Sequence, residues 1–423
     1  MTAALPTGAA GFLARYEAIR ETLPGDPAIR EAAAEAFRVV GLPGATSARR
    51  IEAWKYTSLR PLGDTRFQSK PRPSEIPALP ASVAALDTPL IVFVDGQYHP
   101  RLSHPPAGFT RFADQPDFGT LTWPDREPMV ALNTMLAEDG ASLHVPAGTD
   151  AGTVRLVSLA TDGSAAHPRH CFRLEPGARL TLLDVAAGTG TYLQNTVTEV
   201  HVAAGATLTH VRLQDDSTAA FDLATLYAGV AGHGTYDSFT LALGGRLSRS
   251  ELHTLLAGPY ATAHMNGAQL LTGSQHGDFT SVVRHEAPNC TSRQTVKNVL
   301  AGRARGVFQG RIEVARTAQK TDGYQMNQAL LLSPDAEIDT KPELEIFADD
   351  VKCSHGATVG ELDPDQLFYL RSRGVPDAEA RAILVRAFLA EALDAVGIET
   401  VRGVLEGCVE QWWNRQMIEA LPA

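Results

Sequence analysis

The segment ELEIFADDVKCSHGAT, residues 343–358, holds the side chains best suited to chemistry. Cys353 and His355 stand two positions apart, and on an extended strand residues i and i+2 project from one face. A thiolate and an imidazole side by side are ligands for iron, copper or zinc. Two ligands do not close a tetrahedral site, so another segment or a second chain must supply the rest. The same pattern also describes an apolar buried thiol beside a surface histidine. Glu343, Glu345, Asp349 and Asp350 precede the pair; they read as a cation-attracting group or as a solvated acidic edge strand. RHEAPNCTSR, residues 284–293, brings His285 and Cys290 around Pro288, either as a second imidazole–thiol surface or as a turn between repeats. His201, His210 and His253 lie in strand-like runs and are expected to be exposed or hydrogen-bonded.

Other local kits for chemistry are absent. The chain has no P-loop to cradle a nucleotide, no dinucleotide-binding glycine fingerprint, no nucleophile elbow, no HExxH and no CxxC. With 37 Lys and Arg against 48 Asp and Glu, the formal net charge is −11. Such a surface repels phosphate backbones and anionic lipid, which argues against nucleic acid and membrane as partners. No signal peptide and no long apolar span are evident. The four cysteines, Cys171, Cys290, Cys353 and Cys408, are scattered without disulfide-scaffold spacing, as in a reducing compartment. A cytoplasmic location is the expectation.

A chain of 423 residues needs more than one structural unit. Helical spacing covers 8–23 (Phe12, Tyr16, Ile19) and 27–40, punctuated by Pro24-Gly25-Asp26 and Gly41-Leu42-Pro43-Gly44. Pro71 to Pro80 reads as a linker, and IVFVDG (91–96) as a short strand with its turn. Residues 1–140 therefore predict a mainly helical unit. From 141 the texture changes: LHVPAG, FRLEPG and VHVAAG end at Gly148, Gly177 and Gly205, a near-constant period. A fixed period in this range is the mark of stacked coils, and 141–360 would hold about eight of them. A β-sandwich with hairpin turns is the alternative. Residues 361–423 return to helices. Asp363 is placed as an N-cap before Pro364, Gly374 as a C-cap, and Ile383, Leu384, Phe388 and Leu389 as one apolar face of the next helix. Trp412 and Trp413 belong to a last helix, as core or as a docking element.

Residues 305–374, together with the helix AEARAILVRAFLAEAL, resemble the C-terminal signature of the SufB/SufD family. WKYTSL near 54 and HEAPNCTSR near 285 are weaker marks. ADDVKCSHGAT resembles the SufD form. The SufB form carries a cysteine upstream, where this chain has GYQMNQALLL with Met326, Asn327 and Gln328. The resemblance implies a mainly β fold: a right-handed parallel β-helix between N-terminal and C-terminal helical regions. It implies a non-catalytic subunit of an iron–sulfur cluster assembly complex, with a SufB-like paralogue and a SufC-like ATPase as partners, and leaves open a homodimer in isolation. Cys353 and His355 would then serve transient iron or a nascent cluster at the joint with the paralogue. Phe368, Tyr369 and Phe388 would serve ATPase docking, and a flavin could join the complex. The alternatives are a SufB-type chain or a β-helix enzyme acting on acidic polysaccharide.

Overall fold

The computed structural model describes residues 8–45, 51–68, 76–122, 124, 125 and 127–419. Its N-terminal part contains α1 (Gly8–Ile19), α2 (Pro27–Val40), α3 (Arg60–Gly63), α4 (Ala81–Ala84), β1 (Leu90–Val94), β2 (Gln97–Tyr98), β3 (Phe109–Arg111) and α5 (Pro128–Leu136). Asp26 caps α2 by accepting from the Ala28 N–H, with Pro27 in the first turn. Phe12 and Tyr16 are buried, as their spacing predicts, against Phe37, and Ile19 packs beside them. The predicted linker lies partly outside the described residues; 76–80 form neither helix nor strand.

The next 220 or so residues are almost all strand: β4 (Ala141–Val145), β5 (Asp150–Ala160), β6 (Ala165–Ala166), β7 (Arg169–Leu174), β8 (Arg179–Gly188), β9 (Leu193–Val202), β10 (Thr207–Asp215), β11 (Phe221–Val230), β12 (Thr235–Ala242) and β13 (Leu247–Leu256) come first. They continue through β14 (Thr262–Leu271), β15 (His276–His285), β16 (Thr291–Leu300), β17 (Arg305–Val314), β18 (Asp322–Leu331), β19 (Glu337–Ile346) and β20 (Lys352–Gly360). From β8 onward strands alternate between two sheets. One runs β2-β1-β5-β8-β10-β12-β14-β16-β18-β20, the other β19-β17-β15-β13-β11-β9-β7-β4-β3. Within 141–360 every pairing is parallel, which a hairpin sandwich cannot give, so the core is a parallel β-solenoid of about eight turns. β1, from the N-terminal part, adds to the first sheet by pairing parallel with β5.

The corner between coils explains the glycine period. Gly148, Gly177 and Gly205 all have φ near +70° (66, 71 and 66°), and the same left-handed position is then held by His233, Tyr260, Asn289 and Lys320. At each of these corners the N–H donates to a carbonyl of the following coil: Gly148 to Pro176 at 2.9 Å, Gly205 to Gly232 at 3.1 Å, Tyr260 to Pro288 at 3.2 Å, Lys320 to Asp350 at 2.6 Å. The backbone bond fixes the conformation, and a non-glycine residue there costs about 1–2 kcal/mol.

Three layers of core hold the stack. The interior between the sheets is filled by residues such as Leu180, Leu208, Tyr236, Phe279 and Phe308. The outer face of the first sheet is covered by α7 (Asp377–Leu393) and α8 (Glu399–Glu419), which follow α6 (Pro364–Ser372). Part of the outer face of the second sheet is covered by α1, α2 and α5, against Leu193, Phe221, Leu223 and Leu247. The α6 start is as predicted: Asp363 accepts from the Asp365 and Gln366 N–H groups. Gly374 follows the helix at φ 88°.

The α7 face differs from expectation. Ala380, Ala382, Val385, Leu389, Ala392 and Leu393 are buried, whereas Ile383, Leu384 and Phe388 are half-buried. Small alanines let the helix lie close on the sheet, a gain that ranking side chains by bulk does not see. Trp412 is core; Trp413 packs at its margin.

Candidate functional site

Among the described residues, β20 is the last strand of its sheet and pairs only with β18, and β19 is the last of the other sheet and pairs only with β17. Both sheets therefore present an unpaired row of backbone N–H and C=O groups at the same end of the solenoid. Neither strand holds a fully buried residue, whereas every strand from β4 to β18 does. Ile346, Phe347 and Val359 are exposed on this coil at 38%, 61% and 54%.

Cys353 lies opposite Gly323 in the register and His355 opposite Gln325. Gln325 is fully buried and reaches across to the second sheet, donating to the Gly310 carbonyl at 3.2 Å and the Glu343 carbonyl at 3.4 Å. Cys353 and His355 therefore share the inward-facing side of the last turn, where no further coil of the described residues closes over them. The thiol is half-buried against the interior core, and a Cβ on Gly323 would come within 3.4 Å of its Sγ. His355 is exposed, and among the described residues neither of its ring nitrogens has a hydrogen-bond partner. The opposite face of β20 explains the next glycine. Met326 lies over Gly356, where a Cβ would meet its Cε at 2.7 Å.

Burial pushes the Cys353 thiol above its ordinary pKa, and the Asp322 carboxylate pushes it the same way. Both effects favour the neutral thiol in the isolated chain, and a metal ion that binds the sulfur displaces its proton to solvent. Cys353 also borders a shallow depression lined by Arg293, Asp322, Tyr324 and Lys352. Of the acidic residues upstream, Glu343 faces Arg311 at 3.6 Å and Lys341 at 3.3 Å, and Glu345 is exposed. Asp349 and Asp350 are exposed in the β19–β20 connection.

The second imidazole–thiol pair is a turn. His285 is buried and bonded to Ser292 at 2.9 Å, and Cys290 sits in the interior core with its Sγ donating to the Gly258 carbonyl. His201, His210 and His253 are all engaged, with Glu199 at 2.6 Å, the Tyr236 hydroxyl at 3.2 Å and Glu251 at 3.0 Å. The three aromatic residues predicted for docking part company. Phe368 and Tyr369 are 73% and 56% exposed on α6, which has no buried residue. Phe388 instead packs toward the sheet, with the Lys297 ammonium 4.7 Å from its ring centre.

Residues 157–388 match the family model described as SUF system FeS cluster assembly, SufBD core domain. The match spans more than half of the chain and includes the terminal coil with Cys353 and His355. The chain belongs to the SufBD family. It is similar to the iron–sulfur cluster assembly protein SufD of Escherichia coli K12, 34% identical over 372 residues, which cover 86% of this chain and 87% of that protein. A SufBD family protein of Synechocystis is 34% identical over 66% of this chain and 64% of its own length. One of Mycobacterium leprae is 32% identical over 53% and 58%. Among SufBD proteins this chain is therefore SufD-like, and that similarity supports an assembly subunit over an enzyme. No helix among the described residues is long and apolar enough to cross a membrane.

One cluster escaped the sequence. Glu127, Glu251 and His253 bring one donor atom each to within 4.8 Å of the other two. The Glu-x-His spacing on β13 obeys the same i, i+2 rule as Cys353 and His355, and could have been marked. Nothing local points Glu127 toward it.

Proposed function

We propose that this SufD-like chain supports cluster assembly by lending Cys353 and His355 to a site completed by a SufB-like paralogue. The observation that carries this reading is the uncovered last coil. Two unpaired sheet edges, a thiol and an imidazole on one face, and three exposed apolar side chains meet there. A partner of the same architecture presents edges of the same kind and can cover them. Iron and the nascent cluster are cargo: the Cys353 thiol gives up its proton on binding, His355 offers a ring-nitrogen lone pair, and the partner supplies the remaining ligands. A SufC-like ATPase would dock on α6 through Phe368 and Tyr369, so that nucleotide-driven motion of the helices shifts the two solenoids against each other.

The test is His355→Ala in the complex reconstituted with both partners. Cluster formation, followed by absorbance and by iron and sulfide analysis, should fall at least tenfold while the complex still assembles. An unchanged rate removes His355 from the mechanism.

A further inference from the structure

The second sheet carries a donor cluster on its outer face, away from Cys353 and His355. β13 sends Leu252 and Leu256 into the interior core, so Glu251 and His253 point outward. Glu127 immediately precedes α5. The helix is pinned to the sheet by Asn133, whose amide donates to the Pro168 carbonyl at 2.8 Å and the Asn195 carbonyl at 2.9 Å. Glu127 stands at the N-cap position but makes no capping bond. It lines instead an open cleft of about 760 Å³ together with Tyr227, Glu251 and His253.

Two carboxylates and an imidazole this close are costly without a cation or a shared proton. Burial, then the Glu251 charge, pushes Glu127 up to about 7. Burial acts upward on Glu251 as well, but Arg249 and His253 outweigh it and hold it at about 2. Arg249 binds Glu251 at 3.0 Å from below and is shared with Asp278, so it does not neutralise the second carboxylate.

A separate observation points to a missing ligand. Tyr227 is 5% exposed and stacks on His253, with ring centres 4.7 Å apart and planes at 9°. Among the described residues its buried hydroxyl has no hydrogen-bond partner. The charges that bear most on it are those of Glu127 and Glu251, so it sits beside the cluster. A water held on an ion between the three donors would give that hydroxyl its partner.

We infer that Glu127, Glu251 and His253 bind one divalent first-row transition-metal cation, with water from the cleft completing its coordination. Two oxygens and one imidazole nitrogen suit iron(II), manganese(II) or zinc(II). Copper(I) prefers thiolates, and calcium and magnesium prefer all-oxygen shells. The site is independent of the role given to Cys353 and His355.

The experiment uses the untagged full chain carrying Cys353→Ser, titrated with Co²⁺ and with Zn²⁺. One equivalent should bind, with cobalt d–d bands and no thiolate charge-transfer band. Glu127→Gln and His253→Gln should each weaken binding about tenfold or more. Crystals grown with Zn²⁺ should show an anomalous peak between the three side chains, which locates the ion even if a variant fails to fold. Absence of saturable binding, a thiolate band, unchanged affinity in both variants, or a peak elsewhere would each overturn the assignment.

Discussion

On the proposed assembly with a SufB-like partner, replacing Phe347 by aspartate should separate the two chains without unfolding this one. The ring is 61% exposed at the end of β19, on a coil with no fully buried strand residue. A phenylalanine offers about 200 Å² to bury, so a partner closing over this coil would cover about 120 Å² of ring. At about 25 cal/mol per Å² that is about 3 kcal/mol, or about 100-fold in dissociation constant. Aspartate adds the cost of desolvating a charge, so the loss should be no smaller. The assay is titration calorimetry or analytical ultracentrifugation of the purified pair, with circular dichroism as the check on folding. Phe368→Asp on α6 is the matched control. It should weaken capture of the ATPase and leave the paralogue's affinity unchanged. A Phe347→Asp chain that binds the paralogue as tightly as the parent would refute the argument that the open coil is the joining face.

Two further outcomes follow from buried groups. Alkylation of Cys353 by iodoacetamide in the isolated chain should reach half its maximal rate only above pH 9, since burial disfavours the thiolate relative to the ordinary value of 9.0; a half-maximum below that contradicts the placement. Arg212→Met should cost about 3–5 kcal/mol in denaturant unfolding at pH 7, because losing the buried guanidinium, bonded to Asp184 at 2.8 Å and Asp222 at 2.9 Å, strips Asp222 of its cation and leaves Asp184 with His210 at 3.5 Å. Burial pushes Asp184 upward, but Arg212 and His210 more than offset it and hold it well below the usual carboxylate range. A depressed carboxyl stabilises the fold above its unfolded pKa near 4, and that contribution fades as pH falls through the folded value. The gap between parent and variant should therefore be widest at neutral pH and narrow below pH 4; a gap that widens with acid would contradict the sign.

Much of the architecture was legible because it is written in short-range rules. The period of Gly148, Gly177 and Gly205 announced the coils, since glycine is the cheapest residue at a left-handed corner. The period then vanished from the sequence although the structure continues it. His233, Tyr260, Asn289 and Lys320 take the same backbone conformation, held by the bond to the next coil. The Cys353–His355 pair was legible for the same local reason, the two-residue repeat of a strand. The interior polar residues were not. Asn298 and Asn327 look like turn or surface residues, yet they are fully buried, with Gln269, Asn298, Asn327 and Thr340 bonded in a row across successive coils.

The sequence by itself determined that a strand unit repeats between helical ends and which residues share a face of β20; the parallel pairing of the strands decided for a solenoid over a sandwich. Alternation along a strand divides residues into two sets, but it carries no label for inside and outside. Only the tertiary structure decided that Cys353 and His355 face inward on a turn nothing covers, that Phe388 lies under Lys297, and that Glu127 reaches β13. Each of these depends on which coil ends the stack and where a helix from distant sequence lands, and such contacts are set by packing between segments that no local pattern connects.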